Sequence, residues 1–379
     1  MNRRIAILGA GNGGCAAAVD LTLNGFDVSL FTRSEATMRP LQERGGLEYT
    51  GRLGDGFVPI PILTTDIDEA LAGADLIVIS TPTNAHQWYA ELLAPRLRPE
   101  HVVMLNPGHT GGGLHFVHSL RQAGYSGEVR TCETITLAHG SRKPTPTKVN
   151  ILAVMTNLRL SAFPGKYIDE LAPLIRQAFP NVVPAANVLE TGLTNLNAME
   201  HPPGMLLNTG WIEFTKGDFR FYYEGITPSV ARVIQALDDE RVALVRALNR
   251  QANLAMKEMS FIEYFHLAGF TSARAVEAND MYQALQDSEP NKPIKAPETL
   301  AHRYVDEDVG YGLVPIYELG RLAGVDMPAT KLVIDLASLV RGVDYWKEGL
   351  TLDKMGLEGL PVSELAGFLY EGRREASWA

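Results

Sequence analysis

The chain has 379 residues, of which 46% are hydrophobic and 21% are charged. This balance is typical of folded globular proteins and excludes the disordered and fibrous classes, and the length is sufficient for two domains. The 34 basic and 44 acidic residues give a net charge of −10, which opposes non-specific attraction to phosphate backbones. We therefore expect no nucleic-acid partner.

Two cysteines, Cys15 and Cys132, occur without a CxxC pair or a nearby histidine cluster. This pattern predicts neither a disulfide framework nor a metal site. The apolar run near the N-terminus is too short for the hydrophobic part of a signal peptide, and no apolar run approaches the ~18 residues of a membrane span. We expect a cytoplasmic protein with no membrane partner.

The first half of the chain alternates short apolar runs with helical stretches, which is typical of a parallel sheet covered by helices. Gly25 is expected to end the first of these helices. Strands are predicted at residues 5–8, 27–31, 58–63, 76–80, 102–105, 129–132 and 149–154. Helices are predicted at about residues 13–24, 66–71, 83–97, 113–123 and 167–179.

After residue 186 the pattern changes to long amphipathic stretches, of which 228–258 is the longest. Apolar residues recur there at helical spacing. The predicted fold is therefore α/β: a Rossmann dinucleotide-binding domain with a parallel-type sheet at 1–186, followed by a mostly α-helical substrate and catalytic domain at 187–379.

A glycine-rich turn follows the first predicted strand and opens the first predicted helix. It matches GxGxxG through Gly9, Gly11 and Gly14, and this strand-to-helix position makes the motif specific for a dinucleotide. The free N–H groups of the helix would bind the diphosphate. The alternative is a tight turn without a ligand. The residues assigned to the cofactor in this turn are Gly9, Gly11, Asn12, Gly13 and Gly14.

The end of the second predicted strand carries Arg33 and Ser34 where an acid normally binds the ribose of NAD. We assign both to the cofactor and expect NADP to be preferred, with NAD possible. The alternative is an arginine that stacks on adenine and tolerates either cofactor. Thr81 follows the fourth predicted strand and is assigned to the cofactor too, although a threonine that caps a helix is the other reading.

Hydride transfer to a carbonyl or imine carbon needs a proton donor near the heteroatom, and histidine titrates in the useful range. His201, followed by two prolines, is the candidate. The alternative is a packed histidine with a backbone partner. His109, in the glycine-rich loop 106–113, is interpreted as a loop histidine without chemistry.

A second cluster contains Arg303, Asp306, Glu307 and Asp308. An acid paired with the imidazole would hold its tautomer, and an arginine could bind a substrate carboxylate through two hydrogen bonds. The residue types alone do not decide which acid is the partner. The other interpretation is a solvated acidic turn that Arg303 neutralises.

The order and spacing of these motifs resemble the octopine/nopaline, or opine, dehydrogenase family over nearly the whole chain. Two departures from the family pattern are Val309 to Tyr311, where a proline is common, and His109, where an arginine is common. The segments that carry the resemblance are 9–14, 106–108, 110–112, 133–134, 197–202, 208–213, 222–229, 239–241, 303–304, 307–308 and 312–315.

The resemblance implies a reversible, NAD(P)H-dependent condensation in which an amino acid's amine meets a 2-oxo acid and the imine is reduced. It places the catalytic pair on His201 and Asp308. It further implies that Arg303 binds the substrate carboxylate, that Asn197 orients the substrate or the histidine, and that Thr134 lines the substrate site.

Two other functions remain open at this point. One is an NADP-dependent reductase of a 2-oxo acid or related small substrate without an amine partner, and the other is a catalytically silent NADP-binding protein. A homodimer is possible, because Leu332, Leu336 and Leu339 form an apolar stripe. The same stripe would equally suit a core helix.

Overall fold

The computed structural model describes residues 4–374. They form two compact units: residues 4–191 with 367–374, and residues 192–366. The predicted domain boundary at residue 186 lies close to this division, whereas residues 367–374 group with the first unit instead of the second. The assignment of cofactor and substrate roles to the two parts stays a prediction.

An eight-stranded sheet forms the centre of the first unit, with the order β12-β11-β8-β7-β6-β1-β2-β5. All neighbours run parallel except β8 and β11. The chain proceeds from β1 to opposite sides of the sheet, so the carboxyl ends of β1 and β6 flank a crevice. The strands are β1 (Arg4–Leu8), β2 (Asp27–Phe31), β5 (Ile62–Thr64), β6 (Ala74–Ile79), β7 (Val102–Leu105), β8 (Thr131–Thr134), β11 (Leu158–Phe163) and β12 (Val182–Pro184).

Helix α1 follows β1 after a short turn. Small buried residues such as Ala16 and Ala17 let the backbone of this helix pack closely on the sheet. Gly25 follows it with a φ of +82°, which confirms the predicted end of this helix. Ser34 caps α2 by accepting a hydrogen bond from the Thr37 amide. The helices of this unit are α1 (Asn12–Leu23), α2 (Glu35–Arg44), α3 (Ile67–Leu71), α4 (His86–Leu93), α5 (Gly112–Gln122) and α6 (Ile168–Ala178), and α7 (Val188–Leu193) leads out of it.

A second, four-stranded sheet was not predicted. The prediction of one strand at 58–63 is wrong, because Pro59 and Pro61 interrupt this segment. Its first half belongs to the four-stranded sheet and its second half to the eight-stranded sheet. Proline lacks the N–H that a continuous strand needs. The order of the four-stranded sheet is β4-β3-β10-β9, with β3 (Gly46–Gly51), β4 (Gly56–Pro59), β9 (His139–Thr145) and β10 (Lys148–Val154).

The second unit is helical. Its longest helix, α10, starts at Pro228 and ends at Ala252, before the predicted residue 258, because Asn253 and Ala255 both have positive φ. The helices are α8 (Asn197–Leu206), α9 (Thr209–Thr215), α10 (Pro228–Ala252), α11 (Phe261–Leu267), α12 (Ala273–Ala278), α13 (Met281–Gln286), α14 (Arg303–Asp308), α15 (Val314–Ala323), α16 (Pro328–Arg341), α17 (Tyr345–Glu348) and α18 (Leu365–Glu371), of which residues 367–371 belong to the first unit.

The surface of α16 carries two strongly exposed leucines. Leu332 is 67% and Leu339 is 82% exposed, so these two side chains lie outside the core of the unit. Across residues 4–374, no helix combines the length and the apolar character needed to cross a bilayer.

Candidate active site

The turn after β1 has no room for side chains at two of its glycines. Gly9 has a φ of +117°, and a Cβ there would lie 2.5 Å from the Ser80 carbonyl oxygen. A Cβ on Gly14 would lie 1.7 Å from the Gly9 carbonyl oxygen. These glycines therefore allow the tight turn and the close approach of α1 to the sheet.

The same turn is open where a diphosphate would bind. A Cβ on Gly11 would have no atom within 4 Å, and α1 directs its first N–H groups to this side. The hydroxyls of Ser80 and Thr81, at the end of β6, are buried and have no hydrogen-bond partner among the described residues. A dinucleotide diphosphate fits this set of donors.

Strand β9 holds the glycine-rich turn from the second sheet. The Lys143 amide donates to the Asn12 side-chain oxygen at 2.9 Å, and the Ser141 hydroxyl donates to the Asn12 carbonyl at 3.0 Å. The Lys143 ammonium also donates to the Ala10 carbonyl at 3.0 Å. Because the Asn12 side chain binds this strand, its predicted contact with the cofactor would come from its backbone N–H. Sequence reasoning missed β9 because nothing local indicates which strand it pairs with.

Arg33 lies at the end of β2, and its guanidinium carbon is 5.3 Å from the centre of the Trp88 ring on α4. This cation–π contact holds the charge at the predicted adenosine end of the site. The Ser34 hydroxyl accepts from the Thr37 amide as the cap of α2. Contacts of Arg33 and Ser34 with the cofactor stay predictions.

His201 and Asp308 meet in the interior of the second unit. The His201 Nδ1 atom lies 2.7 Å from an Asp308 carboxylate oxygen, and both side chains are buried. A carboxylate can only accept, so Nδ1 carries the proton. The geometry also decides between the three acids of this segment: Asp306 binds Arg341 and Tyr345, and Glu307 lies beside Arg303.

A π-helical turn over Val309–Leu313 follows Asp308 and joins α14 to α15. Such turns shift the helix register and are frequent at functional sites. Gly312 lets this turn pass close to α8, because a Cβ there would lie 2.7 Å from the Ala198 Cβ on that helix. The Gly310 carbonyl accepts from the Leu350 amide at 2.8 Å. The Val309 to Tyr311 stretch, which departs from the family pattern, is thus part of this π turn.

Two tyrosines complete the surroundings of the imidazole. The Tyr222 hydroxyl lies 2.7 Å from His201 Nε2, and the Tyr304 ring stacks on the imidazole with centres 3.6 Å apart. With the proton of neutral His201 on Nδ1, Nε2 accepts from the Tyr222 hydroxyl. Sequence reasoning gave neither tyrosine a role, although both fall within the segments that carry the family resemblance.

A second carboxyl group lies near the same nitrogen. One oxygen of Glu200 is 3.8 Å from His201 Nε2, and the other oxygen has no hydrogen-bond partner among the described residues. Burial raises the pKa of the Glu200 carboxyl to about 8, and Asp308 adds to the rise. This residue was also missed, although it directly precedes His201.

Arg303 and Asn197 lie in the same unit as the pair. Arg303 is the first residue of α14, with its guanidinium 3.6 Å from Glu307 and 5.4 Å from the centre of the Tyr304 ring. Asn197 begins α8, one helical turn before His201, and therefore lies on the same side of that helix. The structure thus groups Arg303, Asn197, His201 and Asp308 on two helices that pack against each other.

Thr134 lies in the first unit, at the end of β8. Its hydroxyl is buried and donates to the Thr136 carbonyl at 2.9 Å, so a substrate contact stays a prediction. The adjacent Glu133 is buried too and accepts from the Gly113 amide and the Thr191 hydroxyl. Burial raises the pKa of Glu133 to about 7. His109 is buried with a φ of +55°.

Two family models match this chain. The model described as NAD/NADP octopine/nopaline dehydrogenase, alpha-helical domain, matches residues 184–341. The model described as NAD-dependent glycerol-3-phosphate dehydrogenase N-terminus matches residues 4–119. The predicted fold class, a Rossmann domain followed by a helical domain, is confirmed.

Related proteins match over nearly the full length. An opine dehydrogenase of Arthrobacter sp. (strain 1C) is 34% identical, covering 96% of this chain and 97% of the relative. A solved octopine dehydrogenase with NADH and L-arginine has the same fold, with a TM-score of 0.75 at 20% identity over 98% of this chain and 99% of that chain. A solved yersinopine dehydrogenase with NADP+ has a TM-score of 0.70 at 16% identity, over 97% and 98%.

The predicted family and enzyme class are both confirmed by these matches. The chain belongs to the opine dehydrogenase family and is an NAD(P)-dependent oxidoreductase that acts on a CH–NH bond.

Proposed function

We propose that the chain condenses the amine of an amino acid with a 2-oxo acid and reduces the resulting imine to a secondary amine dicarboxylate. The observation that carries this proposal is the buried His201–Asp308 pair, joined at 2.7 Å, with Arg303 on the same helix as the acid. A proton carrier and a carboxylate-binding cation are the two groups that this chemistry needs close together.

In this proposal His201 moves a proton at Nε2, while Asp308 holds the other nitrogen. The buried carboxylate stabilises the imidazolium that forms when the ring takes up a second proton. When the imidazole is neutral, the Tyr222 hydroxyl donates a hydrogen bond to Nε2. This bond holds the ring in the orientation that proton transfer requires. Burial of the pair excludes water that would hydrolyse the imine.

Arg303 is the proposed ligand of a substrate carboxylate. Its side chain is 42% exposed, so its guanidinium can reach a small anion. Asn197, one turn before His201, is proposed to orient the substrate or the histidine, and Thr134 to line the substrate site. These roles would divide the chain into a dinucleotide-binding part at 1–186 and a substrate part at 187–379.

The dinucleotide is proposed to bind at the turn after β1, with NADP preferred and NAD accepted. Gly9, Gly11, Asn12, Gly13 and Gly14 would hold its diphosphate, Thr81 would donate to it, and Arg33 with Ser34 would bind the adenosine end. When bound, the cofactor supplies or accepts the hydride. The cytoplasmic location and the homodimer also stay predictions.

A substrate panel tests the reaction. The full chain is mixed with NADPH or NADH and pyruvate, with and without each of the common amino acids, and cofactor oxidation is followed by absorbance. We expect oxidation only when an amine is present, and a secondary amine dicarboxylate by mass spectrometry. Equal rates without any amine would replace the proposal by a simple 2-oxo acid reductase, and no oxidation with any pair would favour a silent binding protein.

The role of His201 is tested by His201→Ala. Loss of acid–base assistance should lower kcat by about 10²–10⁴-fold, whereas the Kd for NADPH should stay within about twofold because none of the groups proposed to hold the cofactor is removed. His266→Ala, on α11 of the same unit, serves as the control and should keep wild-type turnover. An unchanged kcat in the His201 variant would refute the assignment.

A further inference from the structure

Condensation and simple carbonyl reduction differ in how many protons they move. An ammonium and a carbonyl form an iminium and water, so two protons leave nitrogen and both end on the departing oxygen. Reduction of a carbonyl by hydride needs only one proton on oxygen. An enzyme that forms the imine therefore gains from two proton carriers near one another.

Glu200 has the position of such a second carrier. One carboxyl oxygen is 3.8 Å from His201 Nε2, the atom at which the first carrier exchanges its proton. The other oxygen has no hydrogen-bond partner among residues 4–374, although the side chain is only 6% exposed. A buried carboxyl left without a partner is costly, which indicates that a ligand group normally completes it.

We propose that Glu200 binds the amine of the amino acid substrate and accepts the first proton from its ammonium group, while His201 carries the second. The Glu200 carboxylate takes an N–H proton, and the freed electron pair on nitrogen attacks the carbonyl carbon of the 2-oxo acid, so that the π electron pair of the carbonyl moves to its oxygen. His201 Nε2 then takes the second proton from the nitrogen of the new C–N bond. Glu200 and His201 then deliver their protons to the carbinolamine oxygen as its C–O bond breaks and water leaves. This inference rests on the proposed function and extends it to the amine site.

The groups around Glu200 suit this exchange. Burial and the nearby Asp308 raise the pKa of the Glu200 carboxyl to about 8. This value is closer to the pKa of an ammonium group than the pKa of an exposed glutamate is. A bound ammonium would shift this pKa back down and favour the accepting form. The titratable and charged groups that neighbour the site in this unit are His201 on α8, Tyr222 in the segment before α10, and Arg303, Tyr304, Glu307 and Asp308 on α14.

The test compares Glu200→Gln with the wild-type full chain in the pyruvate assay, using the amino acid that gives the wild type its highest rate. Near neutral pH we expect kcat/KM for the amine to fall by about 100-fold. Above the pKa of the free ammonium, the amine arrives neutral and the first transfer is not needed. There the deficit should shrink to within about fivefold. A deficit of equal size at both pH values, or none at neutral pH, would overturn the inference.

Glutamine has nearly the same shape as a protonated glutamate. The melting temperature and the Kd for NADPH show whether Glu200→Gln is correctly folded. Glu200→Asp provides a second test, because it keeps a proton acceptor that is one methylene shorter. It should retain clearly more amine-dependent activity at neutral pH than Glu200→Gln, and equal losses would contradict the proposal. Glu318→Gln, a carboxylate paired with Arg321 on α15, is the matched control and should behave as wild type.

The two proposals fail in different ways. If the wild type oxidises NADPH with pyruvate alone, the condensation itself is refuted. If the wild type requires an amine and Glu200→Gln retains wild-type kcat/KM for that amine, only the role of Glu200 is refuted.

Discussion

His201 can exchange a proton at only one atom. Asp308 binds Nδ1, and the Tyr304 ring covers one face of the imidazole. A carboxylate buried as completely as that of Asp308 must be paired, because an isolated charge there would cost several kcal/mol. The ring is therefore held in one tautomer and orientation, and Nε2, which Tyr222 shares, is the atom available for chemistry.

At the scale of single residues, Arg33 should decide the choice of cofactor. Arg33→Ala would remove the charge-assisted contact that we propose to a 2′-phosphate, and such a contact is typically worth about 1.5–3 kcal/mol. We expect the ratio of kcat/KM for NADPH to that for NADH to fall by about 10–100-fold. Arg39→Ala, an exposed arginine on α2, is the control and should leave the ratio unchanged. Equal losses with both cofactors would instead identify an arginine that only stacks on adenine.

At the scale of elements, the proposed catalytic pair of His201 and Asp308 depends on how α14 passes into α15. The π turn at Val309–Leu313 lets this helix continue after Asp308 while Gly312 passes close to Ala198 on α8. The helix that supplies the acid is therefore packed against the helix that supplies the histidine. Strand β9 has a comparable role in the first unit, because it fixes the glycine-rich turn through Asn12.

The contact between α8 and the π turn gives a prediction. Gly312→Ala places a Cβ 2.7 Å from the Ala198 Cβ, and overpacking of this kind costs about 1–3 kcal/mol. We expect a lower melting temperature and a kcat reduced about tenfold or more, because Asp308 is displaced from His201. Gly210→Ala on α9, where a Cβ meets no atom within 4 Å, should change neither quantity. Wild-type kcat in the Gly312 variant would show that the pair tolerates movement of the helices.

At the scale of the whole molecule, the exposed leucines of α16 bear on the oligomeric state of the protein. Apolar side chains exposed as strongly as Leu332 and Leu339 are favourable to bury against a second surface. The predicted homodimer would place this helix at its interface. In that case the wild type has twice the mass of the 41.4 kDa chain.

Light scattering measures this mass directly. Leu339→Glu should shift a dimer towards the monomer, since burying an unpaired carboxylate at an interface is costly. Leu267→Glu, at another exposed leucine of the same unit, should not. A monomeric wild type, or a dimer unaffected by Leu339→Glu, would exclude this helix as the interface.

Much of the fold follows from local signals in the chain. The glycine-rich turn, β1, α1 and β2 were predicted because strand and helix periodicities and the turn chemistry all depend on neighbouring residues. The second sheet was not predicted, because β3 pairs with β10 about a hundred residues away, and strand pairing leaves no mark in either segment alone. The split of 58–63 has a different origin, because Pro59 and Pro61 are local signals that a single continuous strand does not accommodate.

The site divides in the same way. The sequence by itself determined that a dinucleotide turn, a histidine and an acidic segment with an arginine are present, since each is a matter of residue type and spacing. The residue types left Asp306, Glu307 and Asp308 open and only the family resemblance pointed to Asp308, whereas the tertiary structure shows the contact of Asp308 with His201. Successive residues on a helix point about 100° apart, so a one-residue choice depends on which helix faces which. The tertiary structure also brings Tyr222 to the imidazole from another segment, and no pattern of spacing could have predicted this contact.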